Sequence, residues 1–173
     1  KNNKNLNIKN FIIEEKNNII KIKNLSLNNS YQFIKIDQAN FNYLDNENKK
    51  NNYNLKKISK YDYIIRGTSL NANSLISNLL EKDDAIENNF FEKNLSVDLN
   101  LKKVFIDEIY FVKNLNGKLN INDNKVVKAD ILASFNDTKK IKFTIRINEQ
   151  GEKITTLFSS KAKPLVNRYK FIK

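Results

Sequence analysis

The 173-residue chain has no cysteine, histidine, methionine or tryptophan, only three glycines, and one proline, Pro164. Without cysteine there is no disulfide framework, thiolate zinc site or cysteine nucleophile. Without histidine the usual general base and commonest metal ligand are missing. No G-x-x-x-x-G-K-[ST] or G-x-G-x-x-G string is present to cradle a phosphate, and no D-x-D-x-D-G loop to hold calcium. No apolar run approaches the roughly 18–20 residues of a membrane span, and no signal peptide opens the chain. The chain starts on Lys1 and stops inside a new amphipathic pattern, Lys163 to Lys173, as expected of a piece of a longer protein. Targeting segments are then expected outside it.

What is abundant is narrow. Asn (32), Lys (28) and Ile (22) make up nearly half of the chain, and all three have AT-rich codons. The net charge of +12 comes from 31 basic and 19 acidic residues, but only three of the basic ones are Arg. Nucleic-acid surfaces use Arg where bidentate or stacked contacts matter. The charge is therefore read first as genomic bias, ahead of a nucleic-acid or anionic-lipid surface.

Period-two alternation dominates. Leu95-Ser96-Val97-Asp98-Leu99-Asn100-Leu101 and Ile141-Lys142-Phe143-Thr144-Ile145-Arg146-Ile147 place every second side chain on an apolar face. Val127, Ala129, Ile131, Ala133 and Phe135 do the same, as do Leu115, Leu119 and Ile121 with Gly117 between them. These are strands with one dry and one wet face, separated by short polar turns. Residues 95–160 are expected to form a five-stranded antiparallel meander. Earlier, strands are expected at about 5–15, 19–28, 31–44 and 53–66, with a polar loop over 46–52. A bulge is expected near Lys23-Asn24, where the apolar phase changes. One segment breaks the pattern: Leu75, Ile76, Leu79 and Leu80 form a helical stripe within an inserted helix over about 72–82, capped by Asn71 or Asn73. Pro164 is well placed to open another helix.

Acidic pairs at Glu14-Glu15, Asp83-Asp84 and Asp107-Glu108 read as solvated surface, because neighbours in a strand face opposite ways. Ser159, Ser160 and Lys161 have no oxyanion hole or nucleophile elbow beside them. Catalysis is not expected, nor any cofactor or metal. Tyr53, Lys56, Lys57, Lys60, Tyr61 and Tyr63 interleave bases with rings and could stack single strands. However, Tyr61, Tyr63 and Ile65 share the phase of an ordinary half-buried strand, so no nucleic-acid partner is expected. The dry face is the stronger signal, since about nine strands offer apolar rows and a single helix is available to cover them. Periodicity favours a self-covered sandwich or barrel; a trough holding an apolar ligand is the alternative.

The order of elements bears on that choice. Tyr63-Ile64-Ile65-Arg66-Gly67-Thr68-Ser69-Leu70-Asn71-Ala72, followed by Leu75-Ile76 and Leu79-Leu80, resembles a strand–Gly–polar–helix passage of AsmA-like proteins, especially YhdP-type members of alphaproteobacteria. Leu115-Asn116-Gly117-Lys118-Leu119 is similar to their L-x-G-x-L strand, with a hairpin strand from Val126 to Phe135 after it. Ile154-Thr155-Thr156-Leu157-Phe158-Ser159-Ser160-Lys161-Ala162-Lys163-Pro164-Leu165 resembles their strand entering a short helix. The likeness covers about residues 60–173. It departs from the family at Asn71, often Asp there, and at Lys163, often Gly.

The resemblance implies a segment of a periplasmic bridge protein, anchored in the inner membrane through a segment not present here and open to envelope protein partners. Its antiparallel meander would curve into a β-groove shielding phospholipid acyl chains in transit between membranes. Residues 1–173 would be one groove segment, with possible sub-units 1–66 and 67–173. Groove-lining residues would be Leu95, Val97, Leu99, Leu101, Leu119, Ile121, Ile131, Phe135, Ile141, Phe143, Ile145 and Ile147. Leu75, Ile76, Leu79 and Leu80 would plug one part of it. The residue-level alternative is a structural or interaction module with a closed core.

Overall fold

A computed structural model describes residues 5–76, 94–122 and 125–163. Ten strands follow the chain: β1 (Leu6–Glu15), β2 (Asn18–Leu27), β3 (Phe33–Leu44), β4 (Lys50–Lys57), β5 (Asp62–Asn71), β6 (Leu95–Phe105), β7 (Phe111–Asn122), β8 (Lys125–Ser134), β9 (Lys140–Ile147) and β10 (Lys153–Ser159). They form one open sheet in the order of the sequence. The expected mainly-β, curved meander is the fold of the chain, and β6–β10 are its five expected C-terminal strands. A boundary at 66/67 falls inside β5, which is hydrogen-bonded to both neighbours.

Three details differ from the expectation. β5 and β6 run parallel, so the chain between Asn71 and Leu95 is a crossover connection and not a hairpin. It contains a helical turn over 73–76, with Asn71 Oδ1 accepting the Asn73 amide at 3.1 Å as a cap. Leu79, Leu80 and the expected helix after Pro164 lie outside the described residues. Next, the expected strand 53–66 is two strands. Tyr53, Leu55, Tyr61, Tyr63 and Ile65 keep one phase, which hides the turn at 58–61. Asp62 closes that turn, its carbonyl accepting from the Ile58 amide at 2.8 Å and its carboxylate from the Ser59 hydroxyl.

The third difference concerns the bulge near Lys23-Asn24. Pairing passes through Asn24 without slipping (Lys23 opposite Gln38, Leu25 opposite Ile36), and the register shift falls between Ser26 and Leu27. Asn24 instead takes a left-handed conformation, with φ of 51°. Asn114 in β7 does the same, also at 51°. Leu115 and Val112, on either side of it and three residues apart, both face the interior of the curve, as do Leu101 and Val104 opposite them. A left-handed residue thus swaps the alternation and keeps both apolar phases on one side. Asn tolerates that conformation better than other non-glycine residues, and in a chain with three glycines it takes over much of their role.

Register lines the strands into transverse rows. Phe11, Ile22, Ala39, Leu55, Ile65, Leu99, Gly117, Ile131, Phe143 and Leu157 are successive cross-strand partners, one from each strand. A second row runs Ile13, Ile20, Phe41, Tyr53, Gly67, Leu101, Leu115. Each row contains one glycine where the backbone is tightest. A Cβ on Gly67 would lie 2.4 Å from the Asn52 carbonyl oxygen and 2.5 Å from the Tyr53 Cβ. One on Gly117 would lie 2.5 Å from the Asp130 carbonyl oxygen.

These obstacles are carbonyl oxygens and a Cβ fixed by its backbone, and they cannot swing aside. Gly67→Ala and Gly117→Ala are each expected to lower unfolding stability by about 1–3 kcal/mol, read as a reduced urea midpoint. Gly151→Ala, where an added Cβ meets nothing within 4 Å but φ is 82°, is expected to cost about 1 kcal/mol through backbone strain alone.

Candidate functional site

The curl of the sheet encloses an apolar groove of about 440 Å³, touched by every strand from β3 to β10. Apart from Lys35 and Tyr63, every described residue lining it carries a hydrocarbon side chain. At one end Ala72, Leu101, Val104, Ile106, Val112 and Ala133 close into a small core, against which Ile76, Tyr110, Phe135 and Ile141 pack. Val104 and Val112 are 1% exposed there. Towards the other end stand Phe33, Tyr63, Leu95 and Ile121. At that end β3 runs on past β4: β4 ends at Lys57 and pairs from Lys56, opposite Gln38, whereas β3 begins at Phe33. The Tyr63 hydroxyl reaches the backbone of Ile36.

Of the expected lining residues, Leu95, Val97, Leu99, Leu101, Leu119, Ile121, Ile131, Ile141 and Phe143 line the groove together. Three do not. Phe135 lies past the end of β8 and packs on the closed core, with Lys161 Nζ 5.9 Å from its ring centre. Ile145 is sealed at 2% exposure opposite Ala129. Ile147, the last residue of β9, is 47% exposed. Strict alternation assigned all three to the dry face but carries no information on where the curve ends. Of the expected plug, Ile76 packs on the core, while Leu75 touches the groove from its rim, 56% exposed.

Sequence reasoning missed the contribution of β3–β5 (Phe33, Ile36, Leu55, Tyr63, Ile65, Leu70) and of Val104, Val112 and Leu157. The period-two signal was present in β4 and β5, where Leu55, Tyr63 and Ile65 share a phase. Val104 and Val112 were concealed by the left-handed Asn114.

Polar groups gather at the rims. At the closed end, Asp45 Oδ2 accepts from Asn51 Nδ2 at 3.0 Å and from Asn71 Nδ2 at 2.8 Å. Glu47 accepts from Asn71 and Asn73 at 2.9 and 3.1 Å. This network ties the β3–β4 turn to the helical turn and satisfies Asn51, which is 1% exposed. Partial burial pushes the Asp45 carboxyl up, but the amide donors of Asn71, Lys49, Asn51 and Glu47 outweigh it and hold it below the usual range. Lys103 lies 4.5 Å from the centre of the Phe105 ring and 4.2 Å from that of Phe111. Such lysines cover ring faces with their stems and keep the charge in water.

The interleaved Tyr-Lys segment does not display a stacking platform. Tyr53 stacks on Phe41 at 4.6 Å between ring centres, and Tyr63 is 7% exposed in the groove, leaving Tyr61 as the exposed ring. No group of three or more acidic side chains able to hold a metal occurs among the described residues. Comparisons with family models, characterised proteins and solved structures found no match to the chain.

Burial, then the neighbouring Tyr43, pushes the Tyr53 phenol far above its ordinary value, and burial also raises Tyr63. A phenol that holds its proton more tightly in the folded state contributes stability that is complete below about pH 10, its unfolded value, and is lost above it. Stability is expected to fall steeply above about pH 10, and Tyr53→Phe to flatten the fall in urea titrations at stepped pH. Asp45 has the opposite sign: its contribution is present above about pH 4 and lost on acidification.

Proposed function

We propose that the chain is a segment of an AsmA-like bridge protein of the bacterial periplasm, and that its groove shields phospholipid acyl chains during passage between membranes. The observation that supports this reading is the groove of large hydrocarbon side chains that strands β3 to β10 of an unclosed sheet line together. Burying each of these side chains is worth roughly 1.5–3 kcal/mol, so a row left against water is costly and an acyl chain laid along it is stabilised. The groove volume of about 440 Å³ falls within the ~300–1,000 Å³ usual for ligand sites. No bond is made or broken in such a role. The sheet offers a dry path, and the lysines on its outer face and rims stay solvated.

Gently purified protein is expected to carry phospholipid in native mass spectra, and a photo-crosslinker replacing Phe143 to capture acyl chains. Leu99→Asp, which sets a carboxylate on the groove floor, is expected to reduce bound lipid at least tenfold. Leu119→Trp, which fills the groove while leaving it apolar, should do the same with the fold intact by circular dichroism. Lipid-free protein with an unlabelled acyl fraction would replace this reading with that of a structural or interaction module whose groove is covered by protein.

A further inference from the structure

The convex face of the sheet, turned away from the groove, divides its charges unevenly along the strands. β6 to β9 contain two acidic residues, Asp98 and Asp130, and both stand at one transverse level. Both are neutralised there: Asp98 pairs with Lys118 at 3.7 Å and Asp130 with Arg146 at 2.8 Å. Beyond that level, towards Phe105 and Phe111, lysine is the only charged residue of these strands. Lys103, Lys113, Ser134 and Lys140 are successive cross-strand partners in one row, and Lys142 follows on β9. Their strand neighbours Val104, Val112, Ala133 and Ile141 line the groove, so this row faces outward.

Among the described residues none of these four lysines is in an ion pair. Lys103 and Lys113 are directly opposite each other, an arrangement of like charges that costs stability. Lys103 is held there by its contacts with the Phe105 and Phe111 rings, which pack edge to face at 6.1 Å. The bordering acids lie in turns beyond the strand ends, Asp107 and Glu108 in one and Asp137 in the other. AT-rich codon usage would raise the number of lysines everywhere; it would not sort the acids to one level of a face.

We propose that this half of the convex face docks on the surface of an anionic phospholipid bilayer. From β6 to β9 the row crosses about 14 Å of sheet. Hydrocarbon accompanies the charge: Leu132 and Phe158, 46% and 61% exposed, are the cross-strand neighbours of Lys142. Lysines beside exposed hydrocarbon suit a headgroup layer, where ammonium groups meet phosphates and apolar side chains reach towards the acyl chains. A nucleic acid fits less well. The row has no arginine, and Lys103 lies over the two rings that bases would otherwise stack on.

The test uses the whole chain and vesicles of phosphatidylcholine, alone or mixed equally with phosphatidylglycerol. Co-sedimentation is expected with the mixed vesicles only, and is expected to weaken as salt rises. Lys113→Gln, Lys140→Gln and Lys142→Gln together should weaken it about a hundredfold, at roughly fivefold for each lysine near the surface. Lys21→Gln, Lys23→Gln and Lys56→Gln remove the same charge from exposed positions of β2 and β4. That set should change binding less than about threefold. Since the chain has no cysteine, Leu132→Cys can carry an environment-sensitive dye. Its emission should shift to the blue on mixed vesicles, while the same dye on Asn54→Cys should not shift. No binding to mixed vesicles, equal losses from the two lysine sets, or a dye on Leu132→Cys that stays in water would each overturn the proposal. So would oligonucleotide binding tighter than vesicle binding and lost with the same three lysines. Groove lipid is read separately, by native mass spectra of vesicle-free protein, so docking and the groove's function stand or fall apart.

Discussion

Among the described residues a single sheet has two faces and no second layer to cover either. Here one face is solvated by lysine and asparagine, and the other is hidden by bending the sheet over itself. The transverse register makes that possible. With Phe11, Ile22, Ala39, Leu55, Ile65, Leu99, Gly117, Ile131, Phe143 and Leu157 at one level, curvature turns the apolar side chains of β3 to β10 toward one groove. A slip of one residue at any pairing would turn half of the sheet inside out. The backbone ladder between strands, more than any side-chain contact, is what the groove depends on.

Asparagine, the commonest residue of the chain, has a structural use in this arrangement. At Asn24 and Asn114 it supplies left-handed backbone inside long strands, which resets alternation and lets ten- to twelve-residue strands follow the curve without turning their apolar side chains outward. At Asn51, Asn71 and Asn73 its amide holds the closed end to the Asp45 turn. Two of the three glycines, Gly67 and Gly117, stand where a neighbouring backbone leaves no room for a Cβ. The groove therefore has one end held by hydrogen bonds and dense packing, and another where β3 runs on past the end of β4.

Strand positions in the C-terminal half were legible because the alternation from Leu95 to Leu101 and from Ile141 to Ile147 is unbroken and the polar turns between strands are short. The N-terminal half was harder. Tyr53 to Ile65 keeps one phase across a turn, and Leu101 to Val104 changes phase inside a strand, so period-two counting joined two strands in one case and lost two lining residues in the other. Nine of the expected groove residues are together for the reason that made them visible, a shared face. Phe135, Ile145 and Ile147 share that face too but sit where the curve is already closed or has run out.

The sequence by itself determined that the chain is a series of one-sided strands with little helix to cover them, because hydrophobic alternation is a local property and survives in any tertiary arrangement. It also excluded chemistry that needs cysteine or histidine. Only the tertiary structure decided that the strands form one open layer instead of two stacked ones, that β5 and β6 run parallel, and that the left-handed asparagines keep both phases within the groove. Those are matters of which strand pairs with which and how far the layer bends. They depend on hydrogen bonds between residues distant in the chain, and local periodicity leaves no trace of them.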